Sequence, residues 1–163
     1  MEDAGDAPLI LEDFLPYRLA TLSNRVSRAI ARLYAERFDL TIPEWRVMAV
    51  LGERPDLSAS EVAERTAMDK VAVSRAVQRL LKKGRLTRHL AADDRRRSVL
   101  ALSPVGRNIY DQVVPLAAAF EQAVLAALTR EEQAILSILL AKLEALPIED
   151  LPERVRGVQH HGL

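Results

Sequence analysis

The sequence predicts a mainly α-helical protein that carries one small β hairpin, and three observations support this fold class. Apolar residues recur at steps of three or four over most of the 163 residues, which is the period of an amphipathic helix. Helix start signals, each a Ser, Thr or Asp just before an apolar run, repeat along the chain. Between residues 86 and 102 the apolar period shortens to two, as in paired strands.

The first predicted helix begins at Pro16, because proline suits a first helical turn, and it extends to about Phe38. Its apolar stripe consists of Leu19, Leu22, Val26, Ile30 and Leu33. We therefore expect one long amphipathic helix after an N-terminal arm at residues 1–15.

Capping boxes open the second and third predicted helices. Thr41 and Glu44 have the spacing of the first box, in which each side chain accepts a hydrogen bond from the other residue's backbone N–H. Ser58 and Glu61 repeat this spacing, and the short helix that follows is expected to reach about Thr66.

A fourth helix and a hairpin follow in the sequence. Asp69 is a suitable N-cap, and Gly84 ends the helix. Alternating apolar residues then predict two short antiparallel strands near residues 86–90 and 98–102. The loop that joins them, Ala91–Arg97, is too highly charged to belong to the core.

Two more helices complete the predicted fold. Ser103 caps the first of them, which is expected to kink at Pro115. The last helix begins at the Thr129 capping box and ends near Leu146. The tail Pro147–Leu163 has weak periodicity and is expected to be flexible.

Composition excludes several functional classes. The chain mass of 18.2 kDa suits a single domain. The chain has no cysteine, which rules out disulfides, thiolate metal sites and thiol redox sensing. The N-terminus is acidic, and charged residues interrupt every apolar stretch before the ~20 residues that a membrane span needs. We therefore expect a cytoplasmic protein.

The distribution of charge is uneven although the formal net charge is zero. Ten basic and two acidic residues lie between Lys70 and Arg97, so this window carries +8 and the remaining chain −8. Such a surface attracts a polyanion to one face. The alternative is a helix face that is merely solvated.

Two helices joined by a tight turn and followed by a hairpin form a winged helix-turn-helix, which is a DNA-reading unit. Helical geometry puts Val73, Val77 and Leu80 on one side of the fourth helix, so the opposite side can enter a groove. The base-reading candidates are Val71, Arg75 and Gln78, the phosphate-binding candidates are Lys70, Ser74 and Lys82, and the minor-groove candidates at the hairpin tip are Arg95 and Arg96.

The order and spacing of residues in this region also resemble a known family. The residues that carry the resemblance are Asp69, Lys70, Val73, Ser74, Arg75, Leu80, Gly84, Asp94, Arg95, Arg96, Leu102, Ser103, Pro104, Gly106 and Arg107. From Leu40 to Arg107, and less specifically from Pro16 to Leu146, the chain resembles the MarR family of bacterial winged-helix transcription regulators.

The resemblance implies a homodimer on a pseudo-palindromic operator. Dimerisation helices would then occupy residues 16–40 and 104–146, with the winged helix-turn-helix domain at 41–103 and a tail at 147–163. The last helix agrees with this organisation, since its apolar surface is wider than one neighbouring helix can cover. In the family, the aspartate matched by Asp94 pairs with an arginine that braces the wing, and Arg96 is the nearest candidate.

Family members often release DNA on binding small aromatic acids between the dimerisation helices and the winged unit. The candidate effector residues here are Tyr17, Arg18, Ser23, Trp45 and Arg46. An aromatic acid or its thioester would suit a cation that interrupts an apolar stripe. Alternatively, Trp45 is a core residue and Arg18 pairs with an acid across the dimer.

The expected function is a bacterial, nucleoid-associated transcriptional repressor that is released by such an effector. An enzyme is not expected, because the three histidines, His89, His160 and His161, have no catalytic partners at a recognisable spacing. No metal site or cofactor is expected either, since His160 and His161 supply at most two ligands. The alternative function is a sequence-nonspecific architectural DNA-binding protein.

Overall fold

The computed structural model describes residues 8–91 and 96–159 and confirms the predicted fold class. The helices are α1 (Leu15–Ala31), α2 (Ala35–Phe38), α3 (Ile42–Glu53), α4 (Ala59–Thr66), α5 (Lys70–Lys82), α6 (Pro104–Leu125), α7 (Arg130–Glu144) and α8 (Leu151–Gln159), and the strands are β1 (Leu86–Leu90) and β2 (Ser98–Leu102). The chain divides after Phe120 into two compact units.

The hydrophobic core of the first unit lies among α3, α4, α5 and the hairpin, with contributions from α2 and α6. Its fully buried side chains include Leu40, Val47, Met48, Leu51, Val62, Val73, Val77, Leu80, Val99 and Leu100. The strands pair antiparallel from Leu86 opposite Leu102 to Leu90 opposite Ser98. The Leu100 amide also donates to the Leu57 carbonyl at 2.8 Å, which attaches the hairpin to the segment before α4.

The predicted start signals are confirmed. The Thr41 hydroxyl accepts from the Glu44 amide while the Glu44 carboxylate accepts from the Thr41 amide at 2.8 Å. Ser58 and Glu61 form the same reciprocal pair at the start of α4. Asp69 caps α5 by accepting from the Ala72 amide at 2.8 Å.

The prediction of one helix from Pro16 to Phe38 is wrong, because α1 ends at Ala31 and the chain turns before α2. In the turn, amides donate three residues back, as in the bond from Tyr34 to the Ala31 carbonyl at 3.1 Å. This tighter winding places Tyr34 in the core at 1% exposure and leaves Leu33 exposed. Burial of an aromatic ring therefore overrides the continuous apolar period.

In the second unit, α7 begins with the predicted capping box between Thr129 and Glu132. Its exposed apolar residues are Ile135, Leu136, Ile138, Leu139 and Leu140. This pattern leaves a broad apolar surface of the described chain in contact with solvent.

The tail, which the sequence predicts to be flexible, contains secondary structure, since a 3₁₀ turn at Ile148–Asp150 and then α8 follow Pro147. Pro152 lies in the first turn of α8, where no backbone donor is needed, and Glu153 favours the positive end of the helix dipole. The helix has only nine residues, too few for its period to stand out in the sequence.

The helix α6 continues as one element through Pro115. Among the described residues no single helix is long and apolar enough to cross a membrane, and α6 and α7 meet that test only jointly, across the break between them.

Candidate nucleic-acid interface

Helix α5 has one buried side and one exposed side. Val73, Ala76, Val77 and Leu80 pack into the core. The exposed residues include six of the predicted DNA contacts: Lys70, Val71, Ser74, Arg75, Gln78 and Lys82. The predicted division of the helix into a packing side and an outward side is therefore confirmed.

The structure adds Arg79 to this outward side. Arg79 lies one helical turn after Arg75, and together with Gln78 and Lys82 these residues line a shallow depression on the protein surface. Arg79 is not among the predicted DNA contacts, although its spacing of four residues from Arg75 places it on the same side of the helix.

The C-terminal end of α5 is joined to the start of α6. Gly84 ends the helix with a φ of +65°, which is the left-handed region that glycine adopts without strain. The Ser103 hydroxyl donates to the Gly84 carbonyl at 2.7 Å and accepts from the Gly106 amide at 3.0 Å. The Ser103 amide also donates to the Arg85 carbonyl at 3.0 Å.

Lys83 and Arg85, which belong to the charged window, contact residues near the junction of α2 and α3. The Lys83 ammonium lies 2.7 Å from the Asp39 carbonyl oxygen, 3.0 Å from Asp39 Oδ2 and 3.2 Å from Glu44 Oε1. The Arg85 guanidinium donates to the same Asp39 carbonyl at 3.0 Å. The positive charge of the window is therefore only partly available to a ligand.

The Glu44 carboxylate in this cluster is fully buried at 0% exposure. Burial alone would raise its pKa, but hydrogen bonds from Thr41 and Lys83 outweigh that effect and the net pKa lies below the ordinary 4.5. The hydrogen bond and charge of Lys83 likewise lower the pKa of Asp39. Both carboxylates are therefore charged at neutral pH.

The hairpin, which forms the wing, is held to the preceding elements by two side-chain contacts. His89 Nε2 lies 2.9 Å from Asp56 Oδ1, and Arg97 Nη1 lies 3.4 Å from Glu61 Oε2. Hydrogen bonds from Ser58 lower the pKa of Glu61, so its carboxylate is charged when it meets Arg97. These contacts attach the hairpin near its loop end, through His89 of β1 and Arg97 just before β2.

At the wing tip, Arg96 occupies an exposed position. Arg95 and the predicted pairing of Asp94 with Arg96 lie outside the described residues, as do His160 and His161.

The five candidate effector residues lie in two different environments. Trp45 is buried at 9% exposure, with its ring centroid 5.6 Å from Tyr34 and 6.0 Å from Tyr110. Arg46 donates from Nη2 to Ser27 Oγ at 3.0 Å. The other three candidates, Tyr17, Arg18 and Ser23, are exposed on α1.

Of these five residues, only Arg18 lines the surface depression found on α1, together with Leu15, Leu19, Thr21, Leu22 and Arg25. Trp45 has the environment of a core residue, which is the alternative that the sequence left open.

Comparison with known proteins places these features in a family. The sequence profile of the MarR family matches residues 38–97. The HTH-type transcriptional repressor Rv2887 of Mycobacterium tuberculosis is 30% identical over 141 residues, which are 86% of this chain and 96% of that protein. This match spans both units, whereas the profile covers the segment from the end of α2 to the wing tip.

Solved structures agree with the sequence matches. A transcriptional regulator from Pseudomonas aeruginosa is 30% identical, with a TM-score of 0.71 over 82% of this chain and 99% of that one. BpsR of Bordetella bronchiseptica, whose DNA binding is regulated by 6-hydroxynicotinic acid, shares the fold at 23% identity, with a TM-score of 0.74 over 86% and 99% of the two chains. Together with the winged helix-turn-helix geometry, these matches show that the chain belongs to the MarR family of transcriptional regulators.

Proposed function

We propose that this protein is a sequence-specific repressor that binds double-stranded DNA as a homodimer at the bacterial nucleoid, in the cytoplasm. The observation that carries the proposal is the outward side of α5, where Arg75 and Gln78 are exposed beside the apolar Val71. This combination suits base reading better than a purely cationic surface would, because cations alone bind phosphates of any sequence.

Each outward side chain has a matching partner in the major groove. Arg75 can donate two hydrogen bonds to guanine, Gln78 can pair with adenine, and Val71 can contact a thymine methyl group. Lys70, Ser74, Arg79 and Lys82 surround them and suit phosphate oxygens. Arg95 or Arg96 at the wing tip would enter the adjacent minor groove.

The apolar surface of α7 supports the proposed homodimer. Exposed large side chains such as Ile138 and Leu139 would be covered by a second copy of the chain. A two-fold dimer that presents two reading helices about one DNA turn apart, ~34 Å, selects a pseudo-palindromic operator. The repressor function is supported by the relative Rv2887, which carries that description.

An anionic aromatic effector is the second part of the proposal. BpsR responds to 6-hydroxynicotinic acid, which has the carboxylate and ring that the exposed Arg18 and Tyr17 would bind, with Ser23, Trp45 and Arg46 as the remaining candidates. Such an effector must favour a dimer in which the spacing of the two α5 helices no longer matches the spacing of the operator half-sites. Coupling of this kind typically weakens DNA binding by about 5- to 150-fold.

Selection of bound fragments from genomic DNA tests the proposed function. We expect a pseudo-palindromic consensus and a ratio of specific to random binding of about 10³ or more at physiological salt. The same fragments should show whether the sites overlap promoters, as repression by competition with polymerase requires. Random recovery of fragments would instead favour the architectural DNA-binding protein.

A further inference from the structure

We infer that Lys83 is a positioning residue, which fixes the orientation of α5 on the protein and makes no contact with DNA phosphate. This inference rests on the proposed function of α5 as the reading helix. Lys83 follows the exposed Lys82 in the sequence, so the two lysines have the same chemistry and almost the same place in the chain. Both residues are exposed, but Lys83 contacts acceptors of the protein whereas Lys82 lines the outward depression.

The contacts of Lys83 use its whole donor capacity. An ammonium group has three N–H donors, and Lys83 has three acceptors within 3.2 Å, namely the carbonyl and carboxylate of Asp39 and the carboxylate of Glu44. Its side chain is 28% exposed. A phosphate oxygen could bind Lys83 only by displacing one of these acceptors.

Displacement of the Glu44 acceptor is unfavourable because that carboxylate is fully buried, whereas the Asp39 carboxylate is 84% exposed. Without Lys83, the Glu44 carboxylate would keep its hydrogen bonds from Thr41, but its buried negative charge would lose the neighbouring cation. Arg85 also donates to the Asp39 carbonyl, so Lys83 and Arg85, on either side of Gly84, share one acceptor oxygen. The cluster therefore joins four charged side chains, those of Lys83, Arg85, Asp39 and Glu44, to one backbone carbonyl.

The cluster connects the end of α5 to the junction between α2 and α3. Asp39 follows α2 in a left-handed conformation with a φ of 48°, and Glu44 lies in the first turn of α3. Lys83 is the C-cap residue of α5, so its contacts with Asp39 and Glu44 hold that end of the helix close to these two residues. The tilt of α5, and with it the direction of Arg75 and Gln78, is thereby set by charge pairs that are remote from the DNA.

Paired substitutions of the two lysines test this inference. Salt dependence of DNA binding is measured for Lys82→Met and Lys83→Met on the selected operator and on a random duplex. Lys82→Met should lower the slope of log K against log salt by about 0.9 on both duplexes, as expected for one lost phosphate contact. Lys83→Met should leave the slope unchanged but weaken operator binding about tenfold, with less than about a twofold effect on the random duplex.

A double variant covers the case in which Lys83→Met does not fold. Glu44→Gln with Lys83→Gln removes both charges and keeps a hydrogen-bonding pair, so operator binding should recover toward that of the wild type with an unchanged slope. A slope reduced by about 0.9 in either Lys83 variant would overturn the inference. Unchanged operator binding by folded Lys83→Met, or equal losses on both duplexes, would also overturn it.

The experiment distinguishes an error in the proposed function of α5 from an error in the inference about Lys83. Arg75→Ala and Gln78→Ala, measured beside the lysine variants, should lower the ratio of operator to random binding. If they do not, the proposed function of α5 is wrong, while the comparison of slopes at positions 82 and 83 still decides whether Lys83 contacts DNA.

Discussion

The carbonyl oxygen of Arg85 lies against Gly106 so closely that a β-carbon on residue 106 would be 2.0 Å from it. The same carbonyl accepts the hydrogen bond from the Ser103 amide. The backbone that follows α5 and the first turn of α6 are therefore in direct contact, and only glycine permits this approach.

Gly106→Ala should destabilise the fold by about 1–3 kcal/mol, because the added methyl group meets backbone that cannot rotate away. Urea unfolding measures the change. Val105→Ala is the matched control, since Val105 is exposed in the same turn of α6 and its change should stay within about 0.5 kcal/mol. Equal stability of the two variants would show that the contact relaxes without cost.

Base reading by α5 predicts different effects for neighbouring residues. Arg75→Ala and Gln78→Ala should each cost about 1–3 kcal/mol on the operator and relax base preference at one position of each half-site. Arg79→Ala should weaken operator and random duplexes alike and reduce the salt slope by about 0.9, as for a phosphate contact. Fluorescence anisotropy on both duplexes over a salt series distinguishes these outcomes, and uniform losses for all three would favour architectural binding.

Acid should lower the free energy of unfolding, because it protonates the Glu44 carboxylate. Its pKa is lower in the folded state than the ordinary 4.5, so the charged form stabilises folding. This contribution is complete above about pH 4.5 and is lost as the pH falls through the lower folded value. Urea midpoints of wild type and Glu44→Gln should therefore differ at neutral pH and converge in acid.

Glu53→Gln is the control for this titration, because the Glu53 side chain is exposed and pairs only loosely with Arg54 at 3.5 Å. Its midpoint should follow that of the wild type at every pH. A difference between wild type and Glu44→Gln that stays constant down to about pH 3 would contradict the role assigned to the Glu44 charge.

The proposed dimer predicts that a charge on the apolar surface of α7 separates the subunits. Ile138→Glu should shift sedimentation from a species of twice the 18.2 kDa chain mass toward the monomer. Lys142→Glu, which changes charge at an exposed polar position of the same helix, should sediment as the wild type does. A wild-type monomer at micromolar concentration would contradict the proposal.

Effector binding is testable with 6-hydroxynicotinic acid as the first probe, followed by other aromatic acids and their thioesters. Binding heat should accompany release of operator DNA, and Arg18→Ala should weaken both, since it removes the proposed partner of the carboxylate. Arg28→Ala, an exposed cation near the other end of α1, serves as the control. Absence of binding across the set of acids and thioesters would reject an effector of this class.

Local chemistry was sufficient to predict much of this fold. The capping boxes of Thr41 and Ser58, the N-cap Asp69 and the glycine that ends α5 all depend on residues within four positions of each other. For this reason they could be identified without any knowledge of the tertiary structure. The outward side of α5 followed from helical period alone.

Features set by distant residues could not be predicted in this way. Tyr34 leaves the helical pattern because its ring packs on Trp45, eleven positions later in the sequence. Lys83 was counted with the cations of the charged window, whereas its acceptors at Asp39 and Glu44 lie about 40 residues earlier. Neither contact could be predicted, because tertiary contacts decide between conformations that the local sequence allows equally.

The aromatic cluster of Tyr34, Trp45 and Tyr110 gives the protein an intrinsic fluorophore. Trp45 is the single tryptophan of the chain, so all indole emission comes from one place in the core. Its emission should shift to the red when this aromatic cluster opens to water. Energy transfer from Tyr34 and Tyr110 to Trp45 should decrease at the same time. Folding of the first unit can therefore be followed optically without attaching a dye.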